Sequence, residues 1–296
     1  MVLDGYEIGG QILVGVTGKI GSPDVRRKKA TGARFQKSAQ SKMSGRSTGT
    51  NKIKFPTVLS LAICALAMSF NVQAQTINWQ GYTWTIKSGA GLGPGPNNWN
   101  LTNCFVDANG YLHLVITPDA SSPNGWDCAE LYTTNAIGFG TYQWQIEART
   151  DQLDPWVVLG LFPYGPPALG PDGSNEIDIE YSRWGNPTGT DGGFTVYPDS
   201  GTTIISHKFT FNLGGTYTTS RFKWGTKGIQ FWLMGGFQPV EATQNVMATW
   251  NYTPTNQLVT IPQNAMPLHI NLWLDKGHIP SNGQPVEVII HSFTKI

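Results

Sequence analysis

The 296-residue sequence has few charged residues, and basic residues are scarcest in its larger part. Residues 1–74 contain 11 of the 20 Lys and Arg but only 3 of the 19 Asp and Glu. Residues 75–296 therefore carry 9 basic and 16 acidic side chains, together with all 11 Trp. An acidic segment with so few basic residues argues against a nucleic-acid partner. A charged fraction of 13% with 40% hydrophobic residues argues against disorder.

No apolar run in the sequence is long enough to span a bilayer, which takes about 20 residues. The run at 58–70 has 13 residues, follows two lysines, and precedes the Val-Gln-Ala of 72–74. Small residues at the end of such a run predict a secretory signal peptide that is cut after Ala74. A buried core helix and a membrane anchor are the alternatives. We therefore predict that 1–74 is an N-terminal extension with a secretory signal, and that 75–296 is one secreted domain without a membrane span.

Cysteine is also scarce, because the chain has three and Cys64 lies in the predicted signal peptide. Cys104 and Cys128 remain. An even count in a chain that is predicted to be secreted suggests one disulfide. Two free, buried thiols are the alternative.

Helical periodicity is absent as well, since no amphipathic helix of about ten or more residues is apparent. Apolar and polar residues instead alternate over short segments that are rich in β-branched and aromatic residues, as is typical of strands. The predicted strands include Tyr111–Thr117, Gly140–Ala148, Gly193–Tyr197, Ser206–Phe211, Arg221–Trp224, Gly228–Leu233, Leu268–Trp273 and Val286–Phe293. Many short strands in one domain predict an all-β fold, either a two-sheet sandwich or a jelly roll.

The segment Glu176-Ile177-Asp178-Ile179-Glu180 carries the most chemical information. On a strand its three acids share one face and its two isoleucines share the other. Like charges in a row repel, so a strand selected for stability alone would rarely keep them. A solvated acidic face and a calcium site are the alternatives to a catalytic role.

The spacing of the outer acids favours catalysis by paired carboxyl groups. Their Cα atoms are roughly 13 Å apart on a strand, and inward-leaning side chains bring the carboxyl groups within about 5–6 Å. Retaining glycosidases separate their two carboxyl groups by about 5–5.5 Å, and inverting ones by about 6.5–9.5 Å. One outer acid would then act as nucleophile and the other as general acid and base, but spacing does not say which. Aromatic residues bracket the strand in sequence and suit a sugar-binding cleft, although each alone is more typical of a core.

Several motifs resemble those of glycoside hydrolase family 16, in the same order, across essentially all of 75–296. The Glu-Ile-Asp-Ile-Glu strand resembles the family's catalytic signature, and the closest pattern is that of bacterial lichenases, which are endo-β-1,3-1,4-glucanases. The other matching segments are Asn103-Cys104, Asp127-Cys128-Ala129-Glu130, Ile137–Tyr142, Phe162–Pro166 and Asn271-Leu272-Trp273. The resemblance also implies that Cys104 and Cys128 form the lichenase disulfide.

The fold that this resemblance implies is a concanavalin-A-like jelly roll, with two curved antiparallel sheets and the substrate lying across the concave one. It implies that Glu176 is the nucleophile, Asp178 the assisting acid and Glu180 the general acid and base. The implied substrate-binding residues are Asn98, Glu130, Phe162, Tyr164, Trp184, Tyr197, Asn271 and Trp273. The implied protein is a secreted, monomeric, retaining endo-β-glucanase that acts on a polysaccharide and needs no cofactor. The fold also allows a structural calcium, whose ligands the sequence does not reveal.

Two rival functions share these motifs: a cell-wall transglycosylase of the same family, and a non-catalytic, lectin-like carbohydrate-binding domain. The sequence also departs from the lichenase pattern. Ser174, Tyr132, Thr218 and Ser220 stand where lichenases have Trp, Arg, His and Tyr, respectively. We expect these to be substrate-contact positions, so the departures bear on linkage specificity.

Overall fold

The computed structural model describes residues 74–199 and 203–296. The predicted signal peptide lies outside the described residues, and its removal stays a prediction. In the described ranges the one α-helix is α1, Gln257–Thr260. Three short 3-10 turns occur elsewhere in the described chain. None of the helices in this part of the chain is long and apolar enough to cross a membrane.

Eighteen strands contain about half of the described residues, 74–199 and 203–296. They are β1 Thr76–Trp79, β2 Tyr82–Ile86, β3 Gly89–Leu92, β4 Asn97–Trp99, β5 Cys104–Val106, β6 Leu112–Pro118, β7 Trp126–Asp127, β8 Ala129–Thr133, β9 Gly140–Glu147, β10 Val157–Pro163, β11 Glu176–Tyr181, β12 Gly192–Tyr197, β13 Ile205–Phe209, β14 Tyr217–Gly225, β15 Gly228–Gly235, β16 Val246–Tyr252, β17 Leu268–Leu274 and β18 Val286–Lys295.

The strands form two large antiparallel sheets and one hairpin. The sheet that we name the cleft sheet has the order β1-β2-β8-β17-β10-β11-β12-β13, and the back sheet has the order β16-β15-β14-β9-β18-β6-β5, with β7 paired to β6. The hairpin is β3-β4. The fold is therefore an all-β jelly-roll sandwich, as the sequence predicted.

The core lies between the two sheets, and aromatic rings connect them. Phe194 of β12 stacks on Phe231 of β15, with ring centroids 4.9 Å apart. The Tyr181 hydroxyl of β11 shares a hydrogen bond of 2.5 Å with the Ser220 hydroxyl of β14. Strand alternation accounts for this arrangement, because every second residue of each strand faces the other sheet.

The strands that sequence analysis missed include the two neighbours of β17 in the cleft sheet. Strand β10 reads Val-Val-Leu-Gly-Leu-Phe-Pro, and all its residues but Phe162 are buried. A strand that is covered on both faces has no polar alternation to reveal it. Strand β8 is buried at four of its five positions, which hides it in the same way.

The predicted disulfide is absent from the structure, in which Cys104 and Cys128 are both buried, free cysteines. The Cys104 sulfur accepts a hydrogen bond from the backbone N–H of Glu130, whereas the Cys128 thiol donates to Asn97 Oδ1 over 3.5 Å. Each sulfur therefore has its own hydrogen-bond partner. Burial raises the pKa of Cys128 to about 12 and also raises the pKa of Cys104, so neither forms the reactive thiolate near neutral pH.

Candidate active site

Strand β11 presents the acidic triplet at the floor of a cleft. Glu176, Asp178 and Glu180 all line this cleft, which has a volume of about 470 Å³. Ile177 and Ile179, on the opposite face, are completely buried in the core. The alternation that was predicted from the sequence therefore exists in the fold, with one face of β11 in the core and the other open to the cleft.

Seven of the eight residues that were predicted to contact substrate line the same cleft: Glu130, Phe162, Tyr164, Trp184, Tyr197, Asn271 and Trp273. Asn98 does not. Its side-chain amide donates to Asn124 Oδ1 over 3.0 Å and to the Trp126 carbonyl over 3.3 Å. Asn98 Oδ1 accepts from the backbone N–H of Gly91 over 3.2 Å. This buried side chain thus ties the β3-β4 hairpin to the loop before β7 and is not available to a ligand in the cleft.

A row of cross-strand partners passes through Glu180. Glu130 pairs with Asn271, Asn271 with Gly160, Gly160 with Glu180, and Glu180 with Gly193. The two glycines leave Glu180 without a side-chain neighbour on either adjoining strand. A Cβ atom at Gly160 would lie only 2.5 Å from Asn271 Oδ1. That buried amide oxygen has no hydrogen-bond partner in the structure and lies directly against Gly160.

Burial and nearby negative charges raise the pKa of every acid in the triplet. Burial, then the charge of Glu180, raises the pKa of Glu176 to about 8. Burial, then the charge of Asp275, raises the pKa of Glu180 to about 7. The pKa of Asp178 rises well above its ordinary value because of burial and the charges of both glutamates. A hydrogen bond between Asp178 and Glu176 favours neutral Asp178 and ionised Glu176, and the three groups titrate as a coupled set.

A second group of charges borders the triplet around Glu130. Lys87 Nζ is 2.8 Å from Glu130 Oε2, and His269 Nδ1 is 3.0 Å from Oε1. Burial alone would raise the pKa of Glu130, but the His269 hydrogen bond and the Lys87 charge outweigh it and hold the pKa below its ordinary value. The His269 ring stacks between Tyr132 and Phe162, with centroid distances of 5.0 and 5.2 Å. This imidazole is therefore fixed in orientation at the cleft wall.

Two indole rings form another part of the cleft wall. Trp184 and Trp273 pack edge to face, with centroids 6.0 Å apart. Trp273 is nearly buried, whereas Trp184 is 37% exposed and adopts a left-handed backbone with φ of 52°. Its backbone N–H donates to Ser182 Oγ over 3.0 Å, which stabilises this unusual conformation. An exposed indole in a cleft is suited to stacking on the apolar face of a ring.

The positions at which the sequence departs from the lichenase pattern do not all face the cleft. Thr218 and Ser220 of β14 are fully buried on the side of the back sheet that faces the core, so the expectation of substrate contact is wrong for both. Ser174 is also buried, and its hydroxyl donates to the Pro171 carbonyl over 2.7 Å. Tyr132, by contrast, is adjacent to the cleft through its stacking on His269.

Sequence reasoning missed several residues that line the cleft: Lys87, Gly93, Pro94, Gly95, Asp172, His269, Asp275 and Lys276. Two of them had a usable signal, because His269 shares the alternation of Asn271 and Trp273 along β17 and Asp275 continues the same spacing in sequence just after that strand. Lys87 had none, since it follows β2 and lies about 90 residues before the triplet in sequence. Within 74–199 and 203–296, no group of three or more His, Cys, Asp or Glu side chains is arranged to hold a metal ion.

Some known proteins are similar to this chain in sequence, and some solved structures are similar to it in fold. The beta-glucanases of Paenibacillus polymyxa and Paenibacillus macerans are each 27% identical to it over 232 residues, covering 72% of this chain and 92% of theirs. A Bacillus licheniformis beta-glucanase superposes with a TM-score of 0.53 at 22% identity, covering 74% of this chain and 93% of its own. A beta-1,3-1,4-glucanase (lichenase) from a mouse hindgut metagenome gives a TM-score of 0.52 at 22% identity, covering 72% and 92%.

No family model matches the chain. The resemblance to glycoside hydrolase family 16 instead rests on the relatives, on the jelly-roll topology, and on the acidic triplet that β11 presents to the cleft. This chain is similar to bacterial beta-glucanases in sequence and has the jelly-roll fold of the lichenase structures.

Proposed function

We propose that this protein is a secreted, retaining endo-β-glucanase that hydrolyses a β-glucan polysaccharide by double displacement. The observation that carries the proposal is the triplet itself, with two glutamates flanking a buried aspartate on the open face of β11. Such a pair of carboxyl groups supplies both the nucleophile and the proton donor that glycoside hydrolysis requires. The names of the Paenibacillus relatives support the substrate class, and the apolar run at 58–70 supports secretion.

In the first step, Glu180 donates its proton to the glycosidic oxygen while Glu176 attacks the anomeric carbon. The bond between that carbon and the glycosidic oxygen breaks, and the departing sugar leaves with the proton. The remaining sugar is then held as an ester of Glu176, and Glu180 is ionised.

In the second step, Glu180 removes a proton from a water molecule that attacks the same carbon from the face the first sugar left. The ester bond to Glu176 breaks, and the product has the original anomeric configuration. Esterification removes the negative charge of Glu176, which interacts with Glu180. Glu180 can therefore act first as an acid and then as a base.

Asp178 is neutral at the start because of its raised pKa. Its proton points to Glu176, which favours the ionised nucleophile. Asp178→Asn keeps a hydrogen-bond donor of similar shape, so it should slow turnover and leave the stereochemistry unchanged.

The test is hydrolysis by the chain without residues 1–74. New reducing ends should appear with mixed-linkage β-glucan, laminarin or both, and NMR of the first products should show the β-anomer. In Glu176→Ala, azide should yield the inverted glycosyl azide from an activated aryl glycoside. In Glu180→Ala, azide should yield the retained one, because the covalent intermediate still forms. Inversion by the wild type, or near-normal activity of Glu176→Ala, contradicts the mechanism.

A non-catalytic glucan-binding protein is the second candidate, because the same fold occurs in a protein described as a pseudo beta-1,3-glucanase. A Mycobacterium tuberculosis protein described as an immunostimulatory antigen and pseudo beta-1,3-glucanase superposes with a TM-score of 0.53 at 20% identity, covering 72% of this chain and 89% of its own. Glucan binding without new reducing ends would favour that candidate. Products longer than the substrate would indicate a transglycosylase.

A further inference from the structure

Asp275 is a buried carboxylate in the cleft that the proposed mechanism does not use. It follows β17 directly and lines the cleft together with Asn271 and Trp273. Asn271 and Trp273 alternate along β17 and so share one face of the strand, whereas Asp275 is the first residue of the 3-10 turn that follows and lines the same cleft from there. Asp275 is 6% exposed, which is unusual for a carboxylate unless a partner compensates it.

The backbone N–H and carbonyl of Asp275 both form hydrogen bonds, whereas one of its carboxylate oxygens forms none. Its N–H donates to the Trp156 carbonyl over 2.7 Å, and its carbonyl accepts from the N–H of His278 over 3.0 Å. Oδ2 is buried and has no hydrogen-bond partner. The Lys276 ammonium lies 3.9 Å from Oδ2, beyond hydrogen-bond distance, on a side chain that is 56% exposed.

We propose that Asp275 is a further substrate-binding residue, whose Oδ2 accepts a hydrogen bond from a hydroxyl group of the glucan unit beside Glu180. A carbohydrate hydroxyl supplies the donor that the buried oxygen lacks, and Trp273, which lines the same cleft, offers an apolar surface to the same sugar. The inference rests on the proposed function, since it identifies the ligand as the glucan.

The Asp275 carboxylate also affects the pKa of Glu180, the proposed proton donor. The charge of Asp275 is the second cause, after burial, of the raised pKa of Glu180. Burial likewise raises the pKa of Asp275, while Lys276 and His278 counteract that rise. The remaining titratable groups around Glu180 are Glu176, Asp178 and Tyr197. Removing the charge of Asp275 should therefore lower the pH at which Glu180 loses its proton.

The experiment compares Asp275→Ala and Asp275→Asn with the wild type, and uses Glu287→Gln as a control. Glu287 is a half-exposed carboxylate on the back sheet that pairs with His113. Kinetics are measured across pH on the polymer that the wild type hydrolyses. Binding of a mixed-linkage glucan oligosaccharide is followed by tryptophan fluorescence, which does not require turnover.

Asp275→Ala should weaken oligosaccharide binding by about 10- to 100-fold, the usual cost of losing a hydrogen bond to a charged group. Asp275→Asn keeps an acceptor oxygen, so its binding should change less, but the alkaline limb of its kcat/KM profile should move to lower pH. Glu287→Gln should change neither quantity.

Oligosaccharide binding by Asp275→Ala within about twofold of the wild type would overturn the proposal. If the alanine variant does not fold, the asparagine variant decides the question. An Asp275→Asn variant with the wild-type alkaline limb of kcat/KM and the wild-type oligosaccharide affinity would overturn the proposal. A wild type that binds the oligosaccharide and cleaves no glucan defeats the proposed hydrolysis, and the binding comparison still tests Asp275.

Discussion

At the scale of single residues, the cleft floor beside Glu180 is open because its two cross-strand neighbours are glycines. Gly160 and Gly193 flank this acid on the neighbouring strands. The two sites differ in the space around them, because a Cβ atom at Gly160 would meet Asn271 Oδ1 at 2.5 Å and the Phe162 ring at 3.2 Å. A Cβ atom at Gly193 would meet nothing closer than 3.7 Å.

Gly160→Ala should therefore lower kcat/KM by about tenfold or more, because Asn271 and Phe162 must move away from their positions in the cleft. Gly193→Ala is the matched control on the other side of Glu180 and should stay within about threefold of the wild type. Steady-state kinetics on the hydrolysed polymer measure both. Equal effects of the two alanines would contradict the role of Asn271 and Phe162.

Replacing Glu180 with Gln should stabilise the protein at alkaline pH. A carboxyl group whose pKa rises on folding, here from 4.5 to about 7, stabilises the fold below its unfolded pKa and loses this contribution as pH rises through the folded pKa. Above pH 7 the wild type then bears a penalty on the order of 2 kcal/mol that Glu180→Gln lacks. Thermal melts at pH 4 and pH 8.5 measure it. The variant should melt several degrees higher at pH 8.5 and close to the wild type at pH 4.

The residues of the site differ in how far the sequence predicted them. The triplet could be predicted because alternation on one strand brings its members together without any knowledge of the fold. His269 and Asp275 carried the same alternation signal through Asn271, yet nothing local indicates that a histidine or an aspartate near a strand end faces a ligand. Lys87 and the misplaced Asn98 depend on how β2 and the β3-β4 hairpin lie against distant strands, which a single sequence does not reveal.

At the scale of elements, an arginine helps to attach the loop between β15 and β16 to the back sheet. Arg221 of β14 donates from Nη1 to the Ala242 carbonyl and from Nη2 to the Pro239 carbonyl, each over 2.7 Å. Its Nε donates to Gln143 Oε1 over 2.7 Å. Burial lowers the pKa of this guanidinium from its ordinary value, so the bonds to the loop compensate for taking the charge out of water.

Arg221→Lys should destabilise the protein by about 2 to 4 kcal/mol, because an ammonium group cannot reproduce the planar set of three donors. Lys223→Ala is the control on the same strand, with an exposed side chain, and should change stability by less than about 0.5 kcal/mol. Urea unfolding measures both. A neutral Arg221→Lys would show that the loop is held by other contacts.

Strand boundaries could be predicted from the sequence where one face of the strand is polar. The predicted Leu268–Trp273 and Gly193–Tyr197 differ from β17 and β12 by a single residue each. Strand β16 was missed although all its residues are intermediate or exposed, because apolar and polar residues alternate only from Ala248 to Tyr252, after an apolar start of Val246 and Met247.

At the scale of the whole molecule, the sandwich encloses both cysteines as thiols. The native protein should not react with Ellman's reagent, because burial raises the pKa of both cysteines and shields them from the reagent. After unfolding in guanidinium without a reductant, the described residues should yield two thiols. No thiol under those conditions would show that Cys104 and Cys128 are bonded in the protein as produced.

The order of strands in the cleft sheet determines when the site can exist at all. Strand β17 lies between β8 and β10, so the pairing of Glu130 with Asn271 joins parts of the chain that are synthesised far apart in time. Contacts between such distant segments form late and slowly during folding. A nascent chain whose β17 is still inside the ribosome has an acidic triplet with an incomplete floor. Catalytic competence would thus arrive only after Leu268–Leu274 has emerged, when nearly the whole polypeptide has been made.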